Sequence, residues 1–324
     1  MKKKFLIIGC GYWGSIIINS IKNLNKYKDI YICDEDYKKM SIAKKRYGNF
    51  VNKIQINEIS KYKDIHYVYL ATPPSKNLDL IKKIIPLNKK ILLEKPGFSK
   101  LKEFYIVNNL LKKSKSELRF GYIYLYHDYI NYLKKKIQQD KFGKIKYIKF
   151  ERQNFGPIRN DVNAFADLAT HDLSILKFLL NKKIVLKNYI KHDILRTNSG
   201  DIVSTNFKVG KIPIDINVSW LNPEKIRKIT IITNKKMILF DEMNLEKPIQ
   251  IFDNYASYPK LSKFTKSYFA KKAFVYKGKS TFIKLKDKKS LDNEINEFLN
   301  EKKNISDINF ASDIIKISNK LINQ

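Results

Sequence analysis

The strongest constraint on the fold lies in the first fourteen residues. Phe5 to Ile8 is a short apolar run, half of it β-branched, too brief for a helix and suited to a strand buried on both faces. It runs directly into Gly9-Cys10-Gly11-Tyr12-Trp13-Gly14, and Ser15 to Ile21 then opens a helix. In this strand–turn–helix, Gly9 permits the tight turn, Gly11 lets backbone come close to a pyrophosphate, and Gly14 lets the helix pack on the strand. The helix start offers unpaired N–H groups and a positive dipole end to phosphate. The chain has only 11 glycines, so three within six positions is not background. A second strand-like run, Asp29 to Cys33, ends on Asp34, twenty residues after Gly14. A carboxylate there accepts from a ribose 2′-OH and repels a 2′-phosphate, so NAD is expected rather than NADP.

At 324 residues the chain has room for about two domains. No stretch approaches the roughly 18 apolar residues of a membrane span. The opening Met1-Lys2-Lys3-Lys4 resembles a signal peptide, but the apolar part that follows is short and leads into the glycine turn, so it reads as the first strand. Cys10 and Cys33 make no disulfide framework and read as reduced thiols, which points to the cytoplasm. The formal charge of +33 invites a nucleic-acid reading. Only six of the 64 basic residues are arginines, however, and the lysines are spread along the whole chain among 31 acids. Base readout and bidentate phosphate grips draw on Arg, so no specific nucleic-acid partner is expected.

Further along, Ile65 to Leu70 reads as a strand followed by Ala71-Thr72-Pro73-Pro74-Ser75, with Ser75 a candidate cap for a helix through Ile85. Lys90 to Leu93 is another strand that delivers Glu94-Lys95-Pro96-Gly97 at its carboxyl end. Ligands of open α/β sheets bind beyond those ends, so the glycine turn, Asp34, Thr72-Pro73-Pro74 and Glu94-Lys95-Pro96 are expected along one edge. Spacing alone leaves Lys95 open between proton handling and an exposed turn lysine. Residues 99–115 read as a helix and Glu117 to Phe120 as a strand that ends the first domain.

A polar loop runs from Arg152 to Asn163, and a helix is expected from about Asn163 to Leu180. Asp167 and His171 are four apart, so on that helix they share a face, a spacing that suits a carboxylate orienting an imidazole. Metal binding is the competing reading. Four histidines in all, with no H-x-x-x-H or C-x-x-C pair, argue for no metal. From Val185 to Asp241 strand-like runs recur between turn residues, which reads as an antiparallel meander. Residues 253–283 have no assignment, and two helices, about 290–300 and 306–322, close the chain.

Together the glycine turn, Asp34, Ala71-Thr72-Pro73-Pro74, Glu94-Lys95-Pro96, Asp167-x-x-x-His171 and the pattern Ser290-Leu291-Asp292-Asn293-Glu294 with Phe298 resemble the Gfo/Idh/MocA oxidoreductases. The resemblance implies an α/β fold: an N-terminal Rossmann domain with a parallel sheet, residues 1–120, and a C-terminal α+β domain with a large, mainly antiparallel sheet, residues 121–324, for substrate binding and oligomerisation. It implies NAD held by Gly9, Gly11, Tyr12, Trp13, Gly14, Asp34, Thr72, Pro73, Pro74, Glu94, Lys95 and Pro96, and catalysis by Lys95, Asp167 and His171. It further places Tyr124, Tyr126, Arg152, Asn154, Arg159, Asn163 and His171 at a sugar or nucleotide-sugar substrate; for Tyr124 and Tyr126, aromatic packing stands as the alternative. A homodimer or homotetramer through the C-terminal sheet is the expected assembly, with no membrane partner. The readings from other classes are an NAD-binding regulator without turnover and a basic nucleic-acid binder.

Overall fold

The computed structural model describes residues 3–159, 162–197, 199–258, 273–286 and 288–322. The chain divides into two compact units, Met1–His127 with Lys288–Gln324, and Asp128–Asp287.

The first unit alternates strand and helix: β1 (Lys4–Ile8), α1 (Tyr12–Asn23), β2 (Ile30–Cys33), α2 (Tyr37–Tyr47), β3 (Val51–Lys53), β4 (Ile65–Leu70), α3 (Pro74–Ile84), β5 (Lys90–Glu94), α4 (Leu101–Leu111) and β6 (Glu117–Gly121). The strands form one parallel sheet in the order β3-β2-β1-β4-β5-β6, the doubly wound arrangement expected of a dinucleotide fold. The order reverses between β1 and β4, so the crevice beyond their carboxyl ends is framed by the glycine turn and by Ala71-Thr72-Pro73-Pro74. Leu6, Ile7, Ile32, Val68 and Leu92 are buried, as the apolar runs require of strands covered on both faces. Ser75 does not cap α3: the helix begins at Pro74 with Pro73 before it, and the proline ring supplies the preset φ of a first turn.

The second unit holds α5 (Asp128–Gln138), β7 (Ile145–Phe155), α6 (Thr170–Leu180), β8 (Val185–His192), β9 (Ile202–Val209), β10 (Ile212–Ser219), β11 (Leu221–Thr233), β12 (Met237–Asp241), β13 (Ile249–Phe252), β14 (Tyr255–Ser257), β15 (Phe274–Tyr276) and β16 (Ser280–Ile283). Eight strands form a sheet in the order β16-β13-β12-β11-β7-β10-β9-β8. The expected meander is therefore interrupted. β7 enters between β10 and β11, parallel to the first and antiparallel to the second, because its long apolar alternation fills the centre of the sheet. Of the unassigned stretch 253–283, the short strands β14 and β15 pair with each other and β16 joins the large sheet; 259–272 lies outside the described residues.

The last two helices, α7 (Ser290–Leu299) and α8 (Ile308–Ile322), belong to the first unit, where the sequence suggested a single break at 120/121. Ile295 and Phe298 of α7 enter the core of Phe5, Ile17, Ile21 and Tyr67, and the Phe298 ring meets Tyr67 edge-on at 5.5 Å. Ser20 of α1 donates a hydrogen bond to Asp292.

Candidate active site

In the first unit the three glycines differ in what surrounds them. Gly9 has φ +100, and a Cβ there would stand 2.6 Å from the Ala71 carbonyl oxygen. A Cβ on Gly14 would come within 1.9 Å of the Gly9 carbonyl oxygen, so α1 lies directly on the turn. A Cβ on Gly11 would meet nothing within 4 Å among the described residues beyond its own chain neighbours. Gly11 is also the residue before α1, which has neither a side-chain cap nor an acidic residue in its first turn. The turn is thus closed at both ends and open in the middle, over a helix start whose N–H groups await an anion. These residues fit a dinucleotide pyrophosphate.

Asp34 lies at the end of β2 and fastens this turn: its Oδ2 accepts the Cys10 N–H at 2.7 Å and its Oδ1 accepts the Asp36 N–H at 2.9 Å. Each carboxylate oxygen has further lone-pair capacity for a ribose hydroxyl. Burial pushes the neighbouring thiols up, Cys10 to about 12 and Cys33 to about 11, so both are un-ionised at neutral pH.

The turns after β4 and β5 are joined by a residue the sequence did not single out. Thr72 donates to Asn77 Oδ1 at 2.6 Å, and Asn77 Nδ2 donates to the Gly97 carbonyl at 2.6 Å. At the end of β5, Glu94 gathers three donors: the Trp13 indole N–H and the Tyr69 hydroxyl reach Oε1, and the Lys95 backbone N–H reaches Oε2 at 3.1 Å. Burial raises the proton affinity of this carboxyl, while the hydrogen bonds from Tyr69 and Trp13 and the charge of Lys95 oppose the rise. Trp13 is thereby held against Glu94, whereas Tyr12 is exposed. Lys95 is half-buried and Pro96 buried. Tyr124 and Tyr126 are both buried in this unit: Tyr124 stacks on His127 at 5.7 Å, and the Tyr126 carbonyl accepts from Asn293 at 3.1 Å.

In the second unit Asp167 does not sit on a regular α-helix. Phe165–Ala169 forms a π-helical turn, and α6 starts only at Thr170, so the four-residue spacing to His171 spans a change of helical pitch. Asp167 receives Arg159 Nη1 on Oδ1 at 3.4 Å and the indole N–H of the fully buried Trp220 on Oδ2 at 3.3 Å. Trp220, at the end of β10, is a second residue the sequence did not single out. Asn163 fastens the turn from below, its Oδ1 accepting the Ala166 N–H at 2.9 Å.

The arginines of this end divide by role. Arg152 shares the sheet face of Ile148 and Phe150 and is buried under α6, where its Nε donates to both oxygens of Asp172 at 2.9 and 3.1 Å and its Nη2 lies 2.8 Å from Oδ1. Arg227 donates to Asn154 Oδ1 at 2.6 Å and to the Gln153 carbonyl at 2.9 Å. Arg159 keeps a third of its side chain exposed. Among the described residues no helix is long and apolar enough to cross a membrane.

Residues 3–122 match the family model described as "Oxidoreductase family, NAD-binding Rossmann fold", GFO_IDH_MocA. No curated protein matches the chain in sequence. Among solved structures, the UDP-N-acetylglucosamine 3-dehydrogenase GnnA from Acidithiobacillus ferrooxidans is similar with a TM-score of 0.79 at 16% identity, covering 99% of this chain and 97% of that one. A putative myo-inositol dehydrogenase from Sinorhizobium meliloti 1021 has a TM-score of 0.77 at 16% identity, over 98% and 95% of the two chains. A levoglucosan dehydrogenase in complex with NADH has 0.79 at 13% identity, over 100% and 96%. At such identities the likeness is one of fold. The match over the glycine turn and the parallel sheet identifies residues 3–122 as an NAD-binding Rossmann domain of the Gfo/Idh/MocA oxidoreductase family, with NAD as its cofactor.

Proposed function

We propose that the chain is a dehydrogenase of a nucleotide-linked sugar. NAD, when bound, supplies the hydride acceptor or donor at C4 of its nicotinamide. The rest falls to the protein. The open Gly11 turn and the bare start of α1 bind the pyrophosphate, and Asp34 takes the ribose hydroxyls. Trp13 is fixed by Glu94, and the same carboxylate fixes the backbone of Lys95. Lys95 is assigned the cation that stabilises a developing alkoxide. His171 is assigned the base that takes the hydroxyl proton, and Asp167 stabilises the imidazolium. The observation that carries the reading is the glycine turn, shut at Gly9 and Gly14 and open at Gly11, in a domain that matches an NAD-binding oxidoreductase family.

For the substrate, Arg159 is the guanidinium suited to a phosphate: a third of its side chain is exposed, whereas Arg152 is buried against Asp172. The name of the Acidithiobacillus neighbour supports a nucleotide sugar. The commitment of Arg152 to Asp172 favours the second reading, a free sugar or polyol.

The test is NAD reduction over a panel of sugars and nucleotide sugars with the wild type and the Lys95→Ala and His171→Ala variants. Turnover on at least one nucleotide sugar is expected, with both variants losing on the order of 10²–10⁴-fold in kcat while NAD affinity holds. Turnover on free sugars only would replace the substrate assignment. Equal losses of kcat and NAD affinity in Lys95→Ala would remove its catalytic role.

A further inference from the structure

Glu294 is a carboxyl that the reading above does not use. It lies in α7, fully buried, and neither of its oxygens receives a hydrogen bond from the described residues. The groups whose charge reaches it come from neighbouring elements of the same unit: Glu94 from β5 and Arg119 from β6. A charge on Glu294 would also raise the Tyr69 hydroxyl of β4 and the Tyr126 hydroxyl of the turn before α5. Arg119 is itself buried, and of its guanidinium nitrogens Nε and Nη1 have no acceptor among the described residues. Its Nη2 donates to the Lys302 carbonyl, its guanidinium lies 5.5 Å from the Phe298 ring centre, and the Glu117 carboxylate stands at 4.0 Å.

We propose that Glu94 and Glu294 hold one proton between them and that it resides on Glu294, leaving Glu94 as the ionised group that positions Trp13 and the Lys95 backbone. The inference rests on the reading of this edge as the cofactor site. Two carboxylates in one buried cluster do not both ionise, because each is desolvated and each repels the other. Which of them keeps the proton follows from their donors. Glu94 has three, from Trp13, Tyr69 and Lys95, and Glu294 has none. Hydrogen bonds to the charged form favour that form, so the negative charge settles on Glu94. In agreement, burial and then the Glu94 charge push the Glu294 carboxyl well above the ordinary range.

The test is infrared spectroscopy of the full-length protein at pH 8, where ordinary carboxyls are ionised. A carbonyl band of a protonated carboxylic acid is expected in the wild type, absent in Glu294→Gln and present in Glu94→Gln. Its absence from the wild type overturns the proposal without any variant, so a variant that fails to fold does not decide the matter. A band lost in Glu94→Gln and kept in Glu294→Gln puts the proton on the other residue and overturns it equally. The measurement requires no turnover, so its failure is distinguishable from failure of the dehydrogenase assignment.

Discussion

The side-chain amide of Asn77 donates to the carbonyl of Gly97 across 2.6 Å while accepting the hydroxyl of Thr72 at the same distance. One residue that is 1% exposed thus ties the turn that carries Thr72-Pro73-Pro74 to the turn that carries Glu94-Lys95-Pro96. Gly97 has little slack to compensate, since it sits at φ +91 with the Phe120 ring where a Cβ would be. Asn77→Ala strands a buried carbonyl and a hydroxyl, which costs about 1–3 kcal/mol. It also frees the Lys95 turn, so kcat at saturating NAD is expected to fall. Denaturant midpoints read the first effect and steady-state rates the second; an unchanged kcat in the folded variant would show that the Lys95 turn holds itself.

The glycine turn yields a contrast between neighbours. Gly14→Ala drives a methyl to 1.9 Å from the Gly9 carbonyl oxygen, so α1 must shift, at about 1–3 kcal/mol or more. Gly11→Ala meets nothing within 4 Å and keeps an ordinary φ of −72, so it leaves stability nearly intact. Its methyl instead occupies the approach of the pyrophosphate. Melting temperature is expected to drop for the first variant, and NADH affinity for the second with melting unchanged. The reverse pattern would move the phosphate away from this turn.

The parts legible in the sequence are those written locally. Phe5 to Ile8, the three glycines and Asp34 specify β1, its turn and the end of β2 through periodicity and backbone freedom, which act within a few residues. The return of α7 to the first unit was not legible, because Ile295 and Phe298 announce a buried face without naming what covers it. Nor was the insertion of β7 between β10 and β11, a pairing across many residues. The Asp167–His171 spacing puts the pair on one face at 3.6 residues per turn, and the π turn at Phe165–Ala169 changes that pitch without a residue type that marks it. Arg152 is different. Expected in a polar loop at the substrate, it lies instead on β7, where alternation with Ile148 and Phe150 puts it on the buried face.

That placement makes Arg152 a stability residue first. The pair with Asp172 has side chains only 5% and 3% exposed, so truncating one partner leaves a buried charge without its counterion. Arg152→Ala is expected to cost about 3–5 kcal/mol, and replacing both residues by apolar ones of similar volume to recover much of the loss. Denaturant titrations of the two single variants and the double variant close the cycle. A folded Arg152→Ala protein of wild-type stability with a raised substrate KM would return Arg152 to the substrate.

Glu301 makes the acid limb of the stability curve testable. Its Oε2 lies 2.9 Å from Lys90 Nζ, its Oε1 accepts the Tyr67 hydroxyl at 2.8 Å, and Lys3 completes the cluster. The hydrogen bonds from Lys3, Lys90 and Tyr67 lower its carboxyl from 4.5 to about 2. The folded protein therefore binds this proton less readily than the unfolded chain. The contribution is whole above pH 4.5 and is lost as the pH falls towards 2. More than a third of the side chain is exposed, so solvent and salt screen the effect and it stays small. Glu301→Gln is expected to flatten the fall in stability across that window, with the difference from wild type shrinking in high salt. Equal acid slopes in the two proteins, measured by denaturant titration at stepped pH, would show that the cluster adds nothing to the acid response.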